Sequence, residues 1–182
     1  MSEVIIDLVK SFEGIIGAVL GSVITLITTH FLKKAGTITS NIIGVEYDFR
    51  NYQINGQGKA VETVEMADHA SIEINIDFFN NSESYKSIND LRVSLYDDNK
   101  QKIFEVVPND EDTRRRTSYG STSDKLEYLN ISPGELVKKT LSFGFHSGNI
   151  ELLKITEVIR FTYSIQKNKA SKKKKISHNI IF

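Results

Sequence analysis

Two regimes of hydrophobic patterning divide this chain. From Gly14 to Leu32 (GIIGAVLGSVITLITTHFL), nineteen consecutive residues include no Asp, Glu, Lys or Arg, and from Ile43 onward apolar and polar residues alternate with a period of two. The alternation is plainest at Ile72, Ile74, Ile76 and Phe78, set against Glu73, Asn75 and Asp77. It recurs at Ile43, Val45, Tyr47 and Phe49, at Leu91, Val93 and Leu95, at Leu141, Phe143 and Phe145, and at Ile159, Phe161, Tyr163 and Ile165. A period of two sends one set of side chains to a buried face, so each run predicts a half-buried strand. Further strands are expected at Ile103 to Val107, Leu126 to Ile131 and Ile176 to Phe182. Turn chemistry separates them at Asn55-Gly56-Gln57-Gly58, Asp97-Asp98-Asn99-Lys100 and Ser132-Pro133-Gly134-Glu135. Residues 59 to 69 read as loop or weak edge strand, Asn109 to Lys125 as a long polar loop, and 149 to 157 as a helical turn or connector. The predicted fold class is mainly β: an N-terminal transmembrane helix, then one antiparallel β-sandwich or small β-barrel of seven to eight strands. The domains are residues 1–34 (helix with a short acidic flank), 35–41 (a short tether, AGTITSN) and 42–182 (the β-domain).

At about 1.5 Å per residue, the nineteen uncharged residues span roughly 28 Å as a helix, close to the ~30 Å hydrocarbon thickness of a bilayer. A cleaved signal peptide would want a positive leading flank and a small-residue cleavage site, whereas here Glu3, Asp7 and Glu13 precede the run and His30-Phe31-Leu32-Lys33-Lys34 ends it. The reading is a retained single span whose partner is the lipid bilayer. Lys33 and Lys34 outweigh Lys10, which predicts an outside N-terminus and a cytosolic β-domain at the cell membrane. Within the span, Gly17 and Gly21 form a GxxxG whose spacing continues to Thr25. A row of small residues lets two helices approach closely, so these three are the candidate helix–helix interface of a homo-oligomer; the plain alternative is a lone anchor.

Composition narrows the chemistry. There is no Cys, which removes disulfides, thiolate metal sites and a Cys nucleophile. His30, His69, His146 and His178 have no ligand spacing, so no metal or cofactor is expected. Gly144-Phe145-His146-Ser147-Gly148 places Ser beside His but is not G-x-S-x-G, and it reads as a tight turn. No catalytic residue is assigned and the protein is read as a non-enzyme. Arg114, Arg115 and Arg116, followed by hydroxyls and Tyr119, are the candidate ligand-binding residues. Forked guanidiniums recognise phosphate and Tyr stacks on a base, against the alternative that Asp110, Glu111 and Asp112 simply balance the charge. Net charge is zero, yet Lys167, Lys169 and Lys172 to Lys175 crowd one hairpin. Lys172, Lys173, Lys174 and Lys175 are the candidate contacts with an anionic membrane surface. Nucleic acid is disfavoured as a partner, because no aromatics interleave these lysines. The protein or small-ligand partner of the β-domain has no signature.

The helix IIGAVLGSVITLITTHFLKK followed by strands such as SIEINIDFFNNSES and DLRVSLYDDNKQKI resembles uncharacterised small single-pass proteins of Gram-positive bacteria and their mobile elements. The strands with their SPGE turn are similar to immunoglobulin-like sandwiches of bacterial envelope proteins. The layout also resembles effectors of cyclic-nucleotide anti-phage systems, which couple membrane helices to a β-barrel sensor but typically carry two such helices. The first resemblance implies a membrane-anchored, non-enzymatic binding or sensing module. The last implies a membrane-perturbing effector in which a nucleotide signal drives helix oligomerisation.

Overall fold

Strand β3 (His69–Asn80) is the spine of the molecule, and its alternation explains why. Ile72, Ile74, Ile76 and Phe78 all point one way and are fully buried, each contributing on the order of 2 kcal/mol from apolar surface removed from water. The structure, a computed structural model, describes residues 2–52, 57–118, 120–166 and 174–181, and within the N-terminal helix the side chains of residues 12, 14–15 and 17–31. β3 lies between β1 (Ile38–Asn51) and β9 (Leu136–Phe145) in a six-stranded sheet of order β2 (Lys59–Ala60), β1, β3, β9, β6 (Asn109–Thr117), β7 (Gly120–Lys125). The second sheet runs β11 (Lys174–Ile181), β10 (Val158–Gln166), β4 (Lys86–Tyr96), β5 (Lys102–Val106). In it β8 (Tyr128–Ile131) takes the first half of the β4 edge, opposite Lys86 to Asn89, and β5 the second half, opposite Val93 to Tyr96. All pairings are antiparallel.

The two sheets close face to face on aromatic contacts. Phe78 of one sheet meets Tyr163 of the other edge to face at 5.5 Å and Phe161 at 6.5 Å, and Phe104 meets Phe145 at 5.3 Å. The molecule is therefore a sandwich of two antiparallel sheets rather than a closed barrel. Its inward face changes parity once in β4: Ile88 and Leu91, three apart, are both buried because Asp90, in left-handed conformation (φ 55°), inserts a bulge opposite Tyr163.

Several strands differ from the sequence expectation. Asn109 to Lys125 is not a loop but the β6–β7 hairpin; its polar residues lack an alternating core face because β6 pairs with β9 only through Asn109 and Asp110 and bulges between Asp110 and Arg115. β1 begins at Ile38, inside the stretch read as tether, and Ile43, expected inward, is exposed because the β1–β3 register slips between Ile42 and Gly44. Residues 150–154 form a short helix, α2 (Ile150–Lys154), and Val64–Met66 a single 3-10 turn. Counting these shorter pieces, eleven strands stand among the described residues. The turn positions Asn55 and Gly56, the lysine connection 167–173 and Phe182 lie outside the described residues.

Helix α1 (Ser2–Lys34) precedes the sandwich, and every described side chain on it is exposed. Ala35 N donates to Phe31 O, and Gly36 then turns the chain at φ 86°. A Cβ on Gly36 would lie 2.8–2.9 Å from Asn81 and Ser82, so the turn needs glycine both for its dihedral and for the close approach. Thr37 N donates to Asn81 Oδ1 at 2.6 Å and Asn81 N to Thr37 O at 3.1 Å, tying the helix exit to the β3–β4 loop. Among the described residues no helix is long and apolar enough to cross a membrane.

The end of the sandwich from which α1 leaves is closed by Asn80, which is fully buried. Its Nδ2 donates to the carbonyls of Ser84, Ile131 and Ser132 at 2.9–3.1 Å, and its Oδ1 accepts from Ser82 N and Ser82 Oγ. Its backbone N donates to Glu135 O, while its carbonyl accepts from Gly134 N. We expect Asn80→Ala to lower stability by about 3 kcal/mol in denaturant titration, because several buried partners lose their bond at once. Asn80→Asp should cost more, because it sets a negative charge against three carbonyls.

Candidate functional site

The surface of α1 is divided by side-chain size rather than by charge. At about 100° per residue, the large apolar residues Ile15, Val19, Leu20, Val23, Ile24, Leu26, Ile27 and Phe31 occupy roughly half the circumference, and all are exposed. Gly14, Gly17, Ala18, Gly21, Thr25 and Thr29 fill the other half. The hydroxyls on that side are turned onto the helix itself: Ser22 Oγ donates to Ala18 O at 2.8 Å and Thr25 Oγ1 to Gly21 O at 2.7 Å. Nothing lies within 4 Å of a Cβ built on Gly17 or Gly21. Gly17, Gly21 and Thr25 therefore share one open face.

The bulge in β6 lifts the β6–β7 hairpin over the outer face of the six-stranded sheet. Glu111 is the centre of this crossing: its carboxylate accepts from Ser142 Oγ of β9 in a short bond and from Ser123 Oγ of β7 at 3.5 Å, and pairs with Arg114 Nε at 2.8 Å. Arg115 Nη2 lies 2.6 and 2.7 Å from the two oxygens of Asp124. Arg116 is exposed and has no partner among the described residues. Tyr119 lies outside the described residues. Arg114 lines two hollows, one of about 330 Å³ with Ser71, Ser142 and Ser121 to Ser123, the other of about 360 Å³ with Glu46, Asp48, Arg50 and Glu73. The arginine triplet is thus strand rather than loop. Two of its three charges are matched by carboxylates, and the second hollow has three acids beside its arginines.

Two polar clusters lie at inward-facing positions. Lys139 Nζ bridges Asp110 Oδ2 at 2.8 Å and Asp112 Oδ2 at 2.9 Å, with Asp110 buried. Burial alone would lower the ammonium, but the bonds to both aspartates outweigh it and hold Lys139 above its ordinary value. Ser40 Oγ lies 2.6 Å from both Tyr163 OH and His178 Nε2, joining β1 of one sheet to β10 and β11 of the other, and the Tyr163 and His178 rings stack. Desolvation raises Tyr163 and lowers His178 from their ordinary values. Among the described residues no group of three or more His, Asp or Glu is placed to hold a metal ion.

Lys174 and Lys175 open β11, exposed and opposite Ile165 and Ser164; Lys172 and Lys173 lie outside the described residues. Sequence reasoning missed Asn80, Lys139 with Asp110, and the Ser40–Tyr163–His178 cluster. Asn80 and Asn81 read as ordinary turn residues, and the other two clusters join positions far apart in the chain. The inward parity of Ser40 in the extended Ile38-Thr39-Ser40 run was the one available signal.

The model of the YopI Ig-like domain family matches residues 36–178 of this chain. The chain is 30% identical over 132 residues to the SPbeta prophage-derived uncharacterized protein YopI of Bacillus subtilis (strain 168), a match covering 72% of this chain and 74% of that protein. Among solved structures it is similar to a FixG-related protein from Vibrio parahaemolyticus, with TM-score 0.40 and 11% identity over 81% of this chain and 97% of that one. It is also similar to an uncharacterized β-sandwich protein from Clostridium difficile 630, with TM-score 0.36 and 13% identity over 80% of this chain and 87% of that one.

The His178 cluster generates a pH prediction. His178 is held below its ordinary value of 6.5 in the folded chain, so on acidification the unfolded chain takes up the proton first. Its contribution to stability is then complete above that value, falls as the pH drops through it, and levels off once the folded state is protonated as well. A melting-temperature series from about pH 7.5 to 5 should show a smaller acid-side loss for His178→Gln than for the parent.

Proposed function

The chain belongs to the YopI Ig-like domain family, and from that premise we propose that it is a membrane-anchored binding module, with α1 in the bilayer and the sandwich at the cytosolic surface. The observation that carries this reading is the exposure of large apolar side chains along α1 with no charge among them from Gly14 to Leu32. Such a surface is not stable in water and is covered by hydrocarbon or by other apolar surface. Among the described residues no helix is long and apolar enough to cross, and the proposed span is the uncharged stretch of sequence from Gly14 to Leu32. Lys33 and Lys34 support the cytosolic side.

Recognition falls to the outer face of the six-stranded sheet, where Arg114 shares a hollow with Ser71 and Ser121 to Ser123 and exposed Arg116 lies opposite Ser121 in the hairpin. We read a binder and not a catalyst, since Ser40 and His178, a hydroxyl–imidazole pair among the described residues, hold the two sheets together through Tyr163. The test is membrane retention of the full chain in bacterial cells after an alkaline wash. Two arginines at the centre of the span cost about 5–7 kcal/mol of insertion free energy, so Leu20→Arg with Ile24→Arg should release the protein or block its accumulation. A parent chain found in the soluble fraction, or a double variant retained equally well, overturns the reading.

The open face of Gly17, Gly21 and Thr25, together with a prophage-derived relative, favours a second reading: an effector in phage defence whose α1 helices associate when the sandwich meets a nucleotide-like signal. On that reading overexpression of the parent slows growth and Gly21→Ile abolishes the effect. Equal growth of the two leaves the anchored binder.

A further inference from the structure

The α1 end of the sandwich carries a surface of its own. Seven strands meet there, fixed by register: Ile38 opposite Asn80, Phe79 opposite Leu136, Lys86 opposite Ile131, Gln166 opposite Ser87, and Ile165 opposite Lys174. Tyr85, in the five-residue β3–β4 loop, is 75% exposed, and Phe79 and Leu136 stand exposed as cross-strand neighbours. The loop is held stiffly: Asn80 Nδ2 and Ser82 Oγ both donate to Ser84 O, beside Tyr85, and Asn81 exchanges two bonds with Thr37 at the exit of α1. One short loop therefore both secures the helix and presents an aromatic side chain beside it.

Charge separates this end from the other. By chain position Lys33, Lys34, Lys138, Lys174 and Lys175 belong to the α1 end, against Asp77, Glu83 and Glu135. Of these acids, Asp77 is opposite Lys138 and Glu135 accepts from Ser132 N at 2.7 Å. At the far end, beyond His69, Phe145 and Tyr96, Glu62, Glu65, Asp97, Asp98, Glu151 and Glu157 stand against Lys59, Lys100, Lys102 and Lys154. That end too exposes apolar side chains, Met66 and Ile155, so apolar area alone does not choose between the ends, whereas charge does. A twelve-residue strand such as β3 spans about 40 Å, several times the ~8–10 Å screening length, so a charged leaflet acts on one end at a time.

We propose that the α1 end of the sandwich is a lipid-contacting surface, with Tyr85, Phe79 and Leu136 seated in the headgroup layer of an anionic leaflet and Lys174 and Lys175 paired with its phosphates. Aromatic rings with a polar edge and lysines with long apolar stems are the side chains that settle at this depth. The proposal rests on the anchored reading above, and it adds that the domain is held down in one orientation, with the β6–β7 hairpin and the far end left free for a partner.

The chain has no Trp, so a single introduced Trp reports on its own position. The full chain carrying Tyr85→Trp, and separately Ile155→Trp as the far-end control, is reconstituted into phosphatidylcholine vesicles with and without phosphatidylglycerol, the tails brominated as quenchers. Tyr85→Trp should be blue-shifted and lose most of its emission in anionic vesicles, Ile155→Trp should be unaffected, and Lys174→Glu with Lys175→Glu should restore the Tyr85→Trp signal. A Tyr85→Trp chain that floats with the vesicles but stays unquenched, or quenching equal at both positions, overturns the proposal while leaving the anchor intact. A chain that does not float with vesicles overturns the anchored reading and this surface with it.

Discussion

Asn80 leaves no hydrogen-bonding atom to solvent: its amide joins the β3–β4 loop, the end of β8 and the turn before β9, and its backbone closes that same turn. A buried amide satisfied in this way fixes distances that an apolar residue would leave adjustable, since displacing any partner strands a polar group without water. The constraint spreads outward. With Asn80 placed, Asn81 meets Thr37, so α1 leaves the sandwich at a set point, and Ser84 is held so that Tyr85 projects beside it. The exit of α1 is thus bonded to the same short loop that Asn80 braces.

The functional readings draw on that geometry. α1 presents large apolar residues on one half and small residues on the other, a division that suits lipid on one side and a second helix on the other. The sandwich is an immunoglobulin-like domain with a prophage-derived relative, and on its outer face, beneath the β6–β7 hairpin, Arg114 shares a hollow with Ser71 and Ser121 to Ser123. A domain tethered by three residues and held by two bonds at the helix exit has little freedom to tumble. An orienting surface at that end would therefore cost little additional ordering.

Electrostatics decided where the arginines matter. Three consecutive arginines read as a basic patch, but Glu111 and Asp124 take Arg114 and Arg115 into ion pairs at the surface, where such pairs add little stability but do cancel charge. Lys139 is the contrasting case. It reaches a buried Asp110, so losing the lysine would leave an uncompensated charge in a low-dielectric site, a far larger penalty than loss of a surface pair. Runs of one charge in the sequence thus do not locate the charge that a partner would meet.

What the sequence determined by itself is local in origin. A period of two in β3, β9 and β10 sets the inward face, because successive side chains in a strand point oppositely whatever they pair with. The uncharged run from Gly14 to Leu32 and the mainly β class are likewise local features, whereas the choice of a sandwich over a small barrel came from the inter-sheet contacts of Phe78 with Tyr163 and Phe104 with Phe145. The tertiary structure alone decided the parity change at Asp90, the lifted β6–β7 hairpin, the ion pairs of Arg114 and Arg115, and the meeting of Ser40, Tyr163 and His178. Each depends on which strands become neighbours. Register between distant strands is chosen by the closure of the whole core, and no short window of sequence holds that information.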